Sequence, residues 1–151
     1  MLSKIEHLSS AEKNLIVNAP LLISALVSGC DGEFTPSEIQ QAVKIIHIKT
    51  YSETRDVSGV YKTVDGHTEE SIEMLISSLP ESTTERNEML ISMLQGLNDI
   101  FPQLDSAFAH DLYSSLKELA FYVSNAGDDL GLSIRSEQEK EMAQLSFLDA
   151  Q

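Results

Sequence analysis

Three carboxylates crowd one turn of this chain: Asp31, Glu33 and Glu38, within Asp31-Gly32-Glu33-Phe34-Thr35-Pro36-Ser37-Glu38. Acidic oxygens this close in sequence can share a hard divalent cation, which takes oxygen ligands. The same residues also have a plainer use. Thr35 can cap a helix with its hydroxyl, Pro36 suits the first helical position, and Glu38 can reach back as the acid of a capping box. The helix macrodipole favours carboxylates at such an N-terminus with or without a metal. Asp128 and Asp129, in Ala126-Gly127-Asp128-Asp129-Leu130-Gly131, form a second and weaker acidic pair.

Placing Asp31 at position 5 of an EF-hand loop puts Gly32 at 6, Phe34 at 8 and Glu38 at 12, which is the second half of that calcium pattern. Positions 1 and 3 then fall on Val27 and Gly29, which carry no side-chain oxygen. A calcium site here is therefore incomplete, with a Kd no tighter than ~10⁻⁴ M. Asp65-Gly66 fails the same test: Thr68 falls where an apolar residue belongs, and Ile72 where the acid belongs.

Other reactive groups do not assemble. Cys30 is the only cysteine, so no internal disulfide forms, as suits a reducing compartment. It ends an apolar run, far in sequence from any histidine, and reads as a small buried residue. His7, His47, His67 and His110 show neither Glu-x-x-His nor His-x-x-x-His spacing, and no phosphate-cradling glycine loop or nucleophile elbow is present. Lacking a set of residues in complementary roles, the chain reads as no enzyme.

The elements that must position these groups are helices. Ser9-Ser10-Ala11-Glu12 is a capping box that starts a helix. Pro20 is expected to break it near Asn18-Ala19 and to begin a second, apolar and buried helix reaching Gly29. A helix over Pro36–Tyr51 follows the acidic turn, with Ile39, Ala42, Val43 and Ile46 inward. Residues 52–67 are the least periodic part and read as a short helix or a long loop. Thr68 is expected to cap a helix from Glu69 to Leu79 with Ile72, Leu75, Ile76 and Leu79 inward. Ser82 caps the next helix, whose inner face reads Met89, Leu90, Met93, Leu94, Leu97 and Phe101. That methionine stripe suits ordinary core or a binding groove. After Pro102 a long helix covers about residues 103–125 with Phe108, Leu112, Leu116, Leu119 and Val123 inward. A final helix begins near Ser136, with Met142, Leu145 and Leu148 inward.

The expected architecture is all-α: a compact single-domain bundle of about seven helices over residues 1–151. The charge balance, 10 basic against 24 acidic residues for a net −14, excludes nucleic acid and anionic membrane surfaces as partners. It suits a cation, a basic protein partner, or plain solubility. No run of apolar residues is long enough to span a membrane, and the opening MLSKIEHLSS lacks the apolar core of a signal peptide.

A weak internal echo is present. Val123-Ser124-Asn125-Ala126 parallels Val27-Ser28-Gly29-Cys30; each leads through an acidic turn to a Ser-Glu helix start, Ser37-Glu38 and Ser136-Glu137. The repeat halves are about 10–51 and 103–149. Ala19-Pro20 leading an apolar helix to Val27, then Asp31-Gly32-Glu33 and Glu38, resembles the first half of the tellurite-resistance TerB-like family. Val123, Ala126, Gly127, Gly131, Ile134 and Glu137 resemble its second half. The likeness spans residues 15–50 and 113–148. It implies a cytoplasmic, all-helical, non-enzymatic stress-response protein with pseudo-twofold repeats and an acidic patch for a divalent metal. Asp31, Glu33 and Glu38 are the ligands it implies; Asp128 and Asp129 depart from the family's order, which counts against a symmetric second site, and are weaker candidate ligands that the repeat symmetry would bring near the first turn. Two functions are thus expected: a cation-binding acidic module, or a protein-interaction adaptor whose apolar groove, between the repeats and lined by Met89 and Met93, has an acidic rim for a basic partner.

Overall fold

The computed structural model describes residues 2–30, 32, 34–125, 142 and 144–148. Among them every regular element is helical, and the fold is an all-α bundle. The order is α1 (Leu2–Ile5), α2 (Ser10–Gly29), α3 (Pro36–Ser52), α4 (Arg55–Val64), α5 (Thr68–Ser78), α6 (Thr83–Gln95), α7 (Leu97–Ile100), a 3-10 turn (Phe101–Gln103) and α8 (Ser106–Ser124).

α2 is the axis of the bundle; α3, α4, α5, α6, α7 and α8 all pack against it. It starts with the expected capping box. Ser9 Oγ accepts the Glu12 N–H at 3.2 Å, and Glu12 Oε1 accepts the Ser9 N–H at 3.0 Å. The expected break at Asn18-Ala19 does not occur: α2 runs unbroken through Pro20. Proline removes one ladder hydrogen bond and costs about 3 kcal/mol inside a helix. Burial offsets this, because every residue from Ala19 to Gly29 is buried and each fully buried Leu or Ile contributes about 1.5–3 kcal/mol. Ser24 also donates its hydroxyl to the Pro20 carbonyl at 2.7 Å.

The ambiguous stretch after α3 is a short helix, α4, whose Val57, Val60, Tyr61 and Val64 are buried on one stripe. Thr68 does not cap α5. His67 holds the cap position, and the buried Thr68 hydroxyl donates instead to the Val64 carbonyl at 3.0 Å. Of the expected α5 face, Ile72 is buried, while Leu75, Ile76 and Leu79 are half-buried. α8 begins at Ser106, capped by Asp105, and buries the whole expected face: Phe108, Leu112, Leu116, Leu119 and Val123. One core of buried side chains runs from Ile5 to Leu148 and joins the elements. Leu145 and Leu148 enter it, though from a turn at 144–148 rather than from a helix face. The acidic turn of the second repeat half and its Ser-Glu helix start lie outside the described residues.

Candidate functional site

The acidic turn is built largely as its sequence suggests. Gly32 has φ of +100°, a conformation that suits glycine, which has no Cβ to clash. Thr35 caps α3: its Oγ1 accepts the Glu38 N–H at 3.2 Å. The Glu38 carboxylate is buried and takes the Thr35 hydroxyl proton, Oγ1 to Oε1 at 2.7 Å, rather than the Thr35 backbone N–H of a reciprocal capping box. Asp31, Glu33, Asp128 and Asp129 lie outside the described residues. Among the described residues no group of three His, Cys, Asp or Glu is placed to hold a metal ion.

A cation is built into this end of α2, and it is protein. Arg86 of α6 is buried and donates Nη2 to the Gly29 carbonyl at 3.1 Å, with its guanidinium 4.6 Å from the centre of the Phe34 ring. Asn87 donates Nδ2 to the Cys30 carbonyl at 3.0 Å. The Gly29 carbonyl also accepts the Gly32 N–H at 3.0 Å, and a positive side chain suits the negative end of the helix. The Phe34 ring sits so close over Gly29 that a Cβ at residue 29 would overlap it. Cys30 is buried, as expected. The sequence did carry a signal for Arg86: it lies at i−4 and i−8 from the buried Leu90 and Leu94, on the inner stripe of α6.

A second polar cluster went unread in the sequence. Lys49 on α3 is buried and donates to Glu53 Oε1 at 2.6 Å and to Glu118 Oε1 at 3.4 Å. Glu53 Oε1 also accepts from Ser115 of α8 at 2.9 Å, and the Ser115 oxygen lies 2.8 Å from the Tyr61 hydroxyl. Burial pushes the Tyr61 hydroxyl well above the usual phenol range, against a smaller opposing effect of its hydrogen bond to Ser115. Tyr61, Ser115 and Lys49 are each at most 5% exposed, while Glu53 is half-buried and Glu118 exposed, and the cluster ties α3, α4 and α8 together. The i, i+4 spacing of Lys49 and Glu53 was legible; their meeting with Ser115 and Tyr61 required the tertiary fold.

The histidines stay apart from the acidic turn. His7 donates to the Gln103 carbonyl at 2.6 Å. His47 Nδ1 lies 3.0 Å from Asp65 Oδ1, and both line a polar cavity of about 270 Å³ with His67, Glu69 and Glu70.

A wider concavity lies elsewhere. α5 and α6 each pack on α2, and between them an open groove of about 830 Å³ exposes a strip of α2. Its floor is Ala11, Asn14, Leu15, Asn18, Leu21 and Leu22; Ser71, Met74, Leu75 and Ser78 of α5 and Met93 of α6 form its walls. The expected inner face of α6 splits here. Leu90, Leu94 and Leu97 are buried, but Met89 and Met93 are 44% and 43% exposed. The turn at Gly96 ends α6, and the stripe from 89 to 101 is wider than the face α6 can bury. Met93 lines the groove; Met89 stands outside its lining. Among the described residues, its lining comes from α2, α5 and α6.

The class defined is therefore an all-α module with a largely buried polar cluster on one side and an open apolar groove on the other. Compared with known proteins, the chain matches no family model, no curated protein and no solved structure. No helix of the described residues is long and apolar enough to cross a membrane.

Proposed function

We propose that this chain is a non-catalytic docking module that takes a basic polypeptide partner in the groove over α2. One observation carries the reading. The groove wall exposes Met74 to 73% and Met93 to 43%, in a chain of net charge −14. No charged side chain is among the described residues that line it. Flexible methionines adapt to varied side chains, and the negative charge of the whole chain favours encounter with a cationic partner.

Less supports the cation-binding reading. Glu38 is engaged with Thr35, α3 turns its positive end towards the turn, and Arg86 already places a positive charge at the end of α2. The resemblance to the TerB-like family keeps a cytoplasmic stress response as the proposed setting, with docking as the proposed activity.

Methyl NMR of the methionines tests the reading. A leucine- and lysine-rich peptide should shift the Met74 and Met93 signals, less so as salt rises, and a leucine- and glutamate-rich peptide should not. Shifts elsewhere, or none, would refute it. Calorimetry with Ca²⁺, Mg²⁺, Mn²⁺ and Zn²⁺ on the wild type and the Asp31→Asn/Glu38→Gln variant completes the test. Heat that the variant abolishes would move the function to the acidic turn.

A further inference from the structure

Taking the docking reading as its basis, we infer that the occupant of the groove is an amphipathic α-helix of about three turns from a separate protein, with Lys or Arg flanking its apolar face. The argument starts from the backbone. The groove is walled and floored by helices, whose N–H and C=O groups are paired within themselves. No sheet edge exists among the described residues to receive a strand. An extended segment laid on Leu15, Leu21, Leu22 and Leu75 would bring its own backbone polar groups against an apolar surface with few partners, and unpaired groups there are costly. A helix satisfies its backbone internally and presents only side chains.

The dimensions agree. The floor runs from Ala11 to Leu22 along α2, which at about 1.5 Å per residue is roughly 16 Å, or three helical turns. A helix laid between α5 and α6 would pack on α2 as those two already do, with apolar residues at i, i+3, i+4 and i+7 meeting the leucines and Met74 and Met93. Asn14 and Asn18, one turn apart on the floor, mark a polar line that such a helix can meet with a single polar residue.

Charge selects the source. A second copy of this chain carries the same net −14, so its approach is repulsive. A helix edged with Lys or Arg is attracted by that net negative charge.

The test uses the full chain and two fluorescent peptides of about 16 residues that differ at one central residue, with Leu at helical spacing and Lys at the flanks. One is held helical by an i, i+4 staple; the other carries the same staple chemistry with a proline at its centre. The stapled peptide should bind at least about tenfold more tightly than the broken one. Met74→Ser/Met93→Ser should weaken its binding by about tenfold with an unchanged melting curve, and raising the salt from low ionic strength should weaken wild-type binding by about threefold. Equal binding of the two peptides, abolished by the methionine variant, would overturn the helical occupant and leave the docking reading standing. Binding of neither peptide would overturn both. Concentration-dependent dimers in sedimentation, lost in the methionine variant, would replace the foreign helix with a second copy.

Discussion

The two flanks of α2 solve the same problem in opposite ways. On the side of α3, α4 and α8, polar groups are drawn largely inside: Lys49, Glu53, Ser115 and Tyr61 bond one another within 3 Å, in a region with little access to water. On the side of α5 and α6, apolar groups are left outside: Met74, Met93 and part of Leu15 and Leu75 face solvent across an open groove. A buried ion pair is weak evidence for stability but strong evidence that its helices must meet in one arrangement, since a lone charge left there is costly. An exposed apolar strip adds little to stability, since it is burial that stabilises apolar groups. The contrast sets a largely buried polar flank against an open apolar one.

That contrast can be broken by substitution. The largest effect is expected at Lys49→Met, which leaves the half-buried Glu53 against Ser115 without its cation; about 2 kcal/mol should be lost in urea unfolding. Lys49→Met/Glu53→Gln should lose less than that, because the uncompensated charge is gone. Should Lys49→Met unfold like the wild type, the cluster does not tie that flank together.

Next comes Tyr61→Phe, expected to cost about 1 kcal/mol, because Ser115 keeps its bond to Glu53. The hydroxyl also gives the polar flank an alkaline signature. Its folded pKa is raised, so the protonated form stabilises the fold fully below the ordinary value of 10.0, and this contribution is lost as pH rises beyond it. The Tyr61 share of tyrosinate absorbance, taken as the difference between wild type and Tyr61→Phe, should appear only in strong alkali or on unfolding.

On the open flank, Met74→Ser and Met93→Ser should each change stability by less than about 0.5 kcal/mol, as surface substitutions do, while weakening peptide binding. A large loss of stability there would make the groove wall part of the core.

The smallest effect concerns acid. Asp105 caps α8 by accepting the Ala107 and Phe108 N–H groups at 3.0 and 3.2 Å. The Phe108 bond above all, with Lys4 beside it, holds its carboxyl below the usual range. The folded pKa is depressed, so the cap stabilises above the ordinary value of 3.8 and its contribution fades as pH falls below it. Asp105→Ala should be less stable than wild type at neutral pH, and the gap should close in acid, read from melting temperatures across pH.

Much of the fold was legible in local patterns. The Ser9, Thr35 and Ser82 caps stand where their spacing puts them, because a cap is set by a few neighbouring residues. The inner face of α8 follows from the 3.6-residue period alone. Pro20 misled, since its penalty is local while the burial that outweighs it is tertiary. Met89 and Met93 share the period of Leu90 and Leu94, yet only the leucines are covered. Periodicity shows which face is apolar, not how wide a strip the neighbouring helices will cover.

By itself, then, the sequence determined the all-helical class, most helix starts and the acidic character of the surface, because capping, period and charge are properties of near neighbours. Only the tertiary structure decided that α2 runs through its proline, that Arg86 closes the end of α2, and that Lys49 meets Ser115 and Tyr61 while Met74 meets solvent. Each depends on which helices pack side by side, and that is set by the summed burial of the whole core rather than by any one segment.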